Sequence, residues 1–153
     1  MAHSYFYEID LTTYEGRLEA FNKVYDPELG LTGDISTLKP EFVEYKMDDT
    51  LTVRFHPEEW QLNGLGYVQG GFLSAMIDVV CGPMSDVCSQ RHSAGTLDML
   101  TNYFRPVTMD DTDILVKARI TMETKRVMHI EAELLKADGK VAVTVSTNIM
   151  KRQ

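Results

Sequence analysis

Cysteine, proline and concentrated positive charge are all scarce in this chain, and each scarcity removes a class of protein. There are two cysteines in 153 residues, Cys81 and Cys88. They fall seven apart on what reads as one helix, ~10 Å along its axis, too far for a disulfide. Buried free thiols in a reducing cytoplasm are the expectation. Basic residues number 15 against 23 acidic ones, net charge −8, and are scattered along the chain. Nucleic acid and anionic membrane surfaces reward massed Lys and Arg, so neither is an expected partner. No apolar run approaches the ~20 residues that span a bilayer. The opening residues, 1–8, lack the basic cluster and apolar stretch of a signal peptide. His3, His56, His92 and His129 are isolated, so no metal site is expected. Five prolines and no low-complexity tract or repeat leave an ordinary single-domain chain with a core.

What is present is a clear succession of periodicities. Tyr14, Leu18, Phe21 and Val24 recur at helical spacing over residues 12–25, with Thr12 or Thr13 as N-cap. A Gly-, Thr- and Asp-rich loop leads to two strand-like runs, 42–47 and 51–55, joined at Asp48-Asp49. Residues 1–40 read as an N-terminal helix and loop extension, and 41–153 as the main domain. A glycine-rich, non-repetitive loop over 56–71 opens into a helix over 72–91, apolar nearly all the way round and therefore buried. Gly82-Pro83 in its middle predicts a kink. The last third is strand. Ile114, Val116, Ala118, Ile120 and Met122 alternate with polar residues, as do Met128, Ile130, Ala132 and Leu134, and Asp138-Gly139 supplies a hairpin. This order predicts an α+β fold in which an antiparallel sheet wraps a central helix.

Within 72–84 of the apolar helix stands one charged residue, Asp78, with Ser74 a turn before it and Gly82 a turn after. Such a carboxylate either faces solvent on an uncovered stripe or sits in a cleft, where burial raises its proton affinity and suits it to base or nucleophile chemistry. Gly70-Gly71 at the helix start offers unpaired N–H groups and the positive end of the helix dipole to an oxyanion or phosphate, or else merely serves the turn. Eight residues separate Gly70 from Asp78, roughly 10–12 Å at the helical rise. One chain's pair is too far apart to grip a single small carbonyl, so joint action requires two subunits facing across a two-fold axis.

The stretch Asn63-Gly-Leu-Gly-Tyr-Val-Gln-Gly-Gly-Phe-Leu-Ser-Ala-Met-Ile-Asp78 resembles the signature of hotdog-fold acyl-CoA thioesterases of the phenylacetate-degradation and hydroxybenzoyl-CoA thioesterase-like type. The run from Thr96 to Pro106 resembles the strand that follows there. The resemblance covers roughly 42–150. It implies hydrolysis of acyl-CoA to free acid and CoA, with no cofactor beyond the CoA of the substrate and a homodimer or homotetramer carrying its sites at the subunit interface. Asp78 would activate water or attack the carbonyl, Gly70 with Gly71 nearby would hold the oxyanion, Asn63 would position water or substrate from the opposing subunit, and Thr96 would orient the water. Gln69 stands where the family has His; an amide can donate a hydrogen bond but carries no titratable proton. Arg105, Lys125 and Arg126 are the candidates for the CoA phosphates. A non-hydrolytic acyl-CoA or lipid-binding module and an enoyl-CoA hydratase-type enzyme are the alternatives on the same fold, and Gln69 disfavours the second.

Overall fold

The computed structural model describes residues 8–29, 33–89 and 93–152. Two helices come first, α1 (Tyr14–Val24) and the short α2 (Asp34–Leu38), followed by the hairpin β1 (Glu41–Tyr45) and β2 (Thr50–Phe55). The long helix α3 (Gly70–Ser89) comes next, then β3 (Ser93–Tyr103), β4 (Ile114–Glu123), β5 (Val127–Leu135) and β6 (Val141–Lys151). All strands pair antiparallel in one six-stranded sheet, order β1-β2-β4-β5-β6-β3. This is the hotdog architecture.

Alternation places the core. Val116, Ala118, Ile130, Ala132, Val143 and Val145 face α3, while Lys117, Arg119, Glu131 and Glu133 face out. One residue of the predicted apolar face departs. A register shift between Ile120 and Met122 breaks the alternation, and Met122 is 61% exposed. Both predicted hairpins form, with Asp49 at φ 57° and Gly139 at φ 82°.

The helix α3 is enclosed between the sheet and α1. By length and mean hydropathy it would pass as a membrane-crossing helix, although Ser74, Asp78, Ser85 and Asp86 keep it from being one unbroken apolar run. Its apolar faces are filled instead by sheet and helix, with Met76, Ile77, Val80, Cys81, Met84 and Val87 fully buried. Both cysteines are free and buried. Burial pushes the Cys88 thiol up to about 12 and Cys81 higher still, so neither supplies a thiolate near neutrality. Burial all the way round, however, is not what the single chain shows. Gly71 and Asp78 are exposed and Ser74 and Ala75 half-buried, which leaves a stripe along the first two turns uncovered.

The helix runs through Gly82 and Pro83 as one element. Proline has no N–H, so the Val79 carbonyl lacks its i+4 donor. The Tyr25 hydroxyl supplies one at 3.2 Å. Tyr25 is the C-cap of α1, fully enclosed, and burial holds its phenol well above the usual range, so it stays a donor at any ordinary pH. At the other end of α1, Thr13 caps the Gly16 N–H at 3.1 Å, Tyr14 donates to the Tyr45 carbonyl at 2.8 Å and Arg17 pairs with Asp49 at 3.0 Å. Tyr25→Phe is expected to lower stability by about 1–3 kcal/mol through the orphaned carbonyl. Denaturant unfolding checks this, and the loss should shrink in a Pro83→Ala background, where the helix regains its own donor.

Candidate active site

The loop before α3 is built to place the helix start. A short 3₁₀ turn, Glu59–Gln61, is closed by a reciprocal capping box between Glu58 and Gln61. The Gln61 carbonyl then accepts from Gln69 N at 2.9 Å, and Val68 N donates to the Val107 carbonyl at 2.8 Å. Between them, Asn63 Oδ1 accepts from Leu65 N at 2.9 Å and Tyr67 N at 3.2 Å. Gly66 adopts φ 79°, the left-handed region this tight turn requires. Asn63 thus spends its carbonyl oxygen on the loop, while its NH2 group makes no hydrogen bond among the described residues and remains a donor on an exposed side chain.

At the end of the loop the Gln69 carbonyl accepts from Phe72 N at 2.9 Å and Leu73 N at 3.3 Å, which makes Gln69 the residue from which the helix launches. Its side chain is exposed. The N–H groups of Gly70 and Gly71 open the helix, where no intrahelical acceptor exists for them. Any side chain at Gly70 would press on Tyr103, whose ring atoms lie 3.0 Å from the position of a Cβ there. Glycine at this position is therefore what lets an aromatic ring lie against the helix start.

The uncovered stripe of α3 meets β3 through three hydroxyls, one per turn. Tyr103 Oη donates to the Gly70 carbonyl at 2.9 Å and lies 2.6 Å from Ser74 Oγ. Ser74 also reaches Thr101 Oγ1 at 3.5 Å. Thr96 Oγ1 donates to Asp78 Oδ1 at 2.9 Å. A register shift between Thr96 and Asp98 sets this last contact. The irregularity is held by Thr147 Oγ1 donating to the Asp98 carbonyl at 2.6 Å and by Asn148 donating to the Asp98 carboxylate from both its backbone N–H (3.1 Å) and its side-chain amide. Bulges commonly re-aim a side chain in this way.

The structure therefore brings Gly70, Gly71, Gln69, Asp78 and Thr96 onto one side of the molecule, with Asn63 in the adjoining loop. Of the two positions open to Asp78, the solvent-facing stripe is the one it takes in the single chain. The basic candidates are not brought together. An Arg105 guanidinium N–H donates to the Val141 carbonyl at the start of β6, while Lys125 and Arg126 lie in the β4–β5 turn, where the Arg126 carbonyl accepts from Lys151 N at 2.8 Å at the far end of the same strand. Ten residue steps of β6 separate those ends, roughly 33 Å. A single CoA cannot use all three within one chain. A trough of 490 Å³ on the opposite face of the sheet, lined by Lys117, Arg119, Glu131, Glu133 and Ser146 among others, contains none of the candidate residues. Among the described residues no group of three His, Cys, Asp or Glu side chains is placed to hold a metal ion.

In the sequence Leu65, Tyr67, Phe72 and Tyr103 fit the lining of an acyl pocket and a core equally well, and nothing local gives Tyr103 a hydrogen-bonding role at the helix start. Asp98 carries no local signal, since it makes its contacts with residues about 50 positions away. Spacing along one helix could find Ser74 but not its partners on β3.

A hotdog sheet around a helix that starts in a glycine pair and carries a carboxylate two turns on is the scaffold that the sequence resemblance led one to expect. The thioesterase superfamily profile matches residues 65–143, more than half of the chain, and the chain belongs to that superfamily. No curated protein sequence matches it. Among solved structures, a phenylacetic acid degradation-related protein from Ralstonia eutropha superposes with TM-score 0.75, covering 86% of this chain and 98% of that one at 23% identity. The E. coli PaaI protein gives 0.75 over 88% and 94% at 12% identity. A hypothetical thioesterase from Streptococcus pneumoniae, solved with coenzyme A, gives 0.71 over 78% and 91% at 16%. At these identities the likeness speaks for the fold.

The two uses of Asn63 are separable by mutation. Asn63→Asp keeps an oxygen for the Leu65 and Tyr67 N–H groups and should hold stability within about 0.5 kcal/mol, whereas Asn63→Ala should cost about 1–2 kcal/mol as in the loss of a cap. Thermal unfolding of the two variants checks the ordering.

Proposed function

We propose that the protein hydrolyses acyl-CoA thioesters at a site completed by a second copy of the chain. Water activated by the Asp78 carboxylate, or the carboxylate itself, attacks the thioester carbonyl. The oxyanion that develops on the carbonyl oxygen is held by the Gly70 N–H, with Gly71 adjacent. On the water route the C–S bond then breaks and CoA leaves as the thiol, taking the proton that Asp78 drew from the water, with the acid as the other product. Where the carboxylate itself attacks, CoA leaves from an acyl-Asp78 anhydride, which a water then hydrolyses to free the acid, restore the carboxylate and supply the thiol's proton. The observation that carries this reading is the exposed stripe on α3. It holds an N–H-rich helix start and a carboxylate oriented by Thr96, two turns apart, in a chain of the thioesterase superfamily. Oriented donors of this kind stabilise charge that develops in the transition state.

The need for a second copy rests on the same geometry. Eight residues of helix separate Gly70 from Asp78, about 12 Å at the helical rise, so one carbonyl meets both when they belong to different chains. The strand beside the stripe fits that role. β3 is an edge strand of eleven residues with Leu97 49%, Leu100 66% and Tyr103 50% exposed. Long apolar edges of this kind pair with another strand or are otherwise covered. A second β3 running antiparallel would cover the edge and bring each Asp78 toward the partner's helix start, shielding it from water. Asn63, through its free amide, would position water or substrate, and Gln69 would donate a hydrogen bond where the family's resemblance leads one to expect His. Neighbours solved with coenzyme A or acetyl-CoA on this fold support the choice of substrate class. At most one of the two basic groups, Arg105 or Lys125 with Arg126, would meet the phosphates of a given CoA from its own chain.

Free-thiol release across a panel of acyl-CoAs tests the reading. Turnover of at least one thioester is expected, and Asp78→Asn should lower it by about 10²–10⁴ with the fold intact, the range for losing a positioned base. Near-native turnover in that variant removes Asp78 from its role. Tight binding without thiol release would identify a binding module, and addition of water to an enoyl-CoA would identify a hydratase. Gln69→His should be tolerated, with turnover equal to or above that of the native chain; a collapse would give Gln69 a function of its own. In sedimentation the native chain should run as a dimer or tetramer, and Leu100→Glu on the open edge of β3 should shift it toward monomer and abolish turnover together.

A further inference from the structure

We propose that Tyr103 is a positioning residue for the oxyanion-binding peptides at the start of α3, with Ser74 acting through it. This rests on the hydrolytic reading above and adds to it a group outside the expected set. The Gly70 carbonyl and the Gly71 N–H belong to one peptide unit, so a donor on the oxygen withdraws density toward it and strengthens the N–H as a donor. Tyr103 Oη supplies that donor at 2.9 Å. The preceding peptide, which carries the Gly70 N–H, has its carbonyl on Gln69 occupied by Phe72 N at 2.9 Å and Leu73 N at 3.3 Å. Both peptides that could face an oxyanion are thereby fixed in plane and polarised by the helix, and the second carries Tyr103 Oη as an additional donor on its carbonyl.

The arrangement around the phenol sets its proton. Tyr103 has one hydroxyl hydrogen, directed to the Gly70 carbonyl, so the 2.6 Å contact takes the single Ser74 hydrogen to Tyr103 Oη in preference to the longer 3.5 Å donation from Ser74 to Thr101 Oγ1. Ser74 therefore fixes the direction of the Tyr103 hydroxyl and increases its strength as a donor. The ring packs at contact distance on the Gly70 Cα, where a Cβ would meet Cε1 and Cζ at 3.0 Å. Half of Tyr103 is nevertheless exposed, 50%, on the same open side as Asp78. A core role does not call for a hydroxyl there, nor for that exposure.

Tyr103→Phe keeps the ring and removes the hydrogen bond; Ser74→Ala removes the donor behind it. On the acyl-CoA that the native enzyme turns over fastest, Tyr103→Phe is expected to lower kcat about 10-fold, the equivalent of one net hydrogen bond, with KM changed less than about 3-fold. Ser74→Ala should give a smaller loss in the same direction, and the double variant should be no worse than Tyr103→Phe alone, because both act through one contact. A loss carried wholly by KM, a kcat within about twofold of native, or additive losses would overturn the proposal. The Gly71 amide gives a second readout that needs no turnover. In a 1H–15N spectrum its nitrogen resonance should move upfield in Tyr103→Phe while that of Gly66 stays in place. An unmoved Gly71 resonance overturns the proposal whether or not the native chain is active. A native chain inactive on every thioester, with Gly71 moved, overturns the hydrolytic reading and leaves the positioning contact standing.

Discussion

A twenty-residue helix as apolar as α3 has to be enclosed, and most of the structure follows from how it is enclosed. Full burial of a Leu, Ile, Val, Phe or Met side chain contributes roughly 1.5–3 kcal/mol, and α3 places ten of its residues in the interior. The sheet takes one side of it, and α1 with α2 takes the other. Those two coverings do not meet along the first two turns. There the helix carries glycine, serine and aspartate instead of apolar residues, and there the molecule is open. The lack of apolar residues and the gap in the covering coincide, which is the physical reason the candidate chemistry lies where it does.

Along that gap the helix is tied to β3 by polar contacts in place of packing. Tyr103, Thr101 and Thr96 reach Gly70, Ser74 and Asp78 in turn. These groups do more than satisfy each other. Thr96 leaves Asp78 with one oxygen oriented and a second free to meet water, and Tyr103 orients the peptide that begins the helix. The strand that provides the hydroxyls is also the open edge of the sheet. An edge strand with exposed leucines is a ready template for pairing, and in the proposed dimer a second copy would satisfy the edge and enclose the stripe at once. On this account, oligomer formation and completion of the active site are a single event.

The long elements were legible in the sequence because their patterns are local. Alternation marked β4 and β5, apolar residues nearly all the way round marked α3, and Asp48-Asp49 and Asp138-Gly139 marked the two hairpins. The candidate residues Gly70, Gly71 and Asp78 were legible for the same reason, since they share one helix. What could not be read was pairing across distance. Pro83 predicts a disturbance in the helix, but nothing local shows that Tyr25, 54 residues away from Val79, stands ready to fill the lost hydrogen bond. Asn63 reads as a substrate contact, yet half of its side chain is committed to holding its own loop. Arg105 and Lys125 look alike as phosphate ligands, and only the register of β6 places them at opposite ends of the sheet. Met122 continues the alternation of β4 in the sequence and is turned out by a one-residue shift in the ladder.

The shared site is tested most directly by a crystal structure of the protein with a non-hydrolysable acyl-CoA analogue in which the thioester sulfur is replaced by a methylene. The account predicts the analogue's carbonyl oxygen within hydrogen-bond reach, about 2.7–3.2 Å, of the Gly70 nitrogen of one protomer. Its carbonyl carbon would face the Asp78 carboxylate of the partner across a paired β3 edge, with at most one ordered water between. A carbonyl seated on the outer face of the sheet would contradict it, as would one held at Gly70 with both Asp78 side chains still facing bulk solvent.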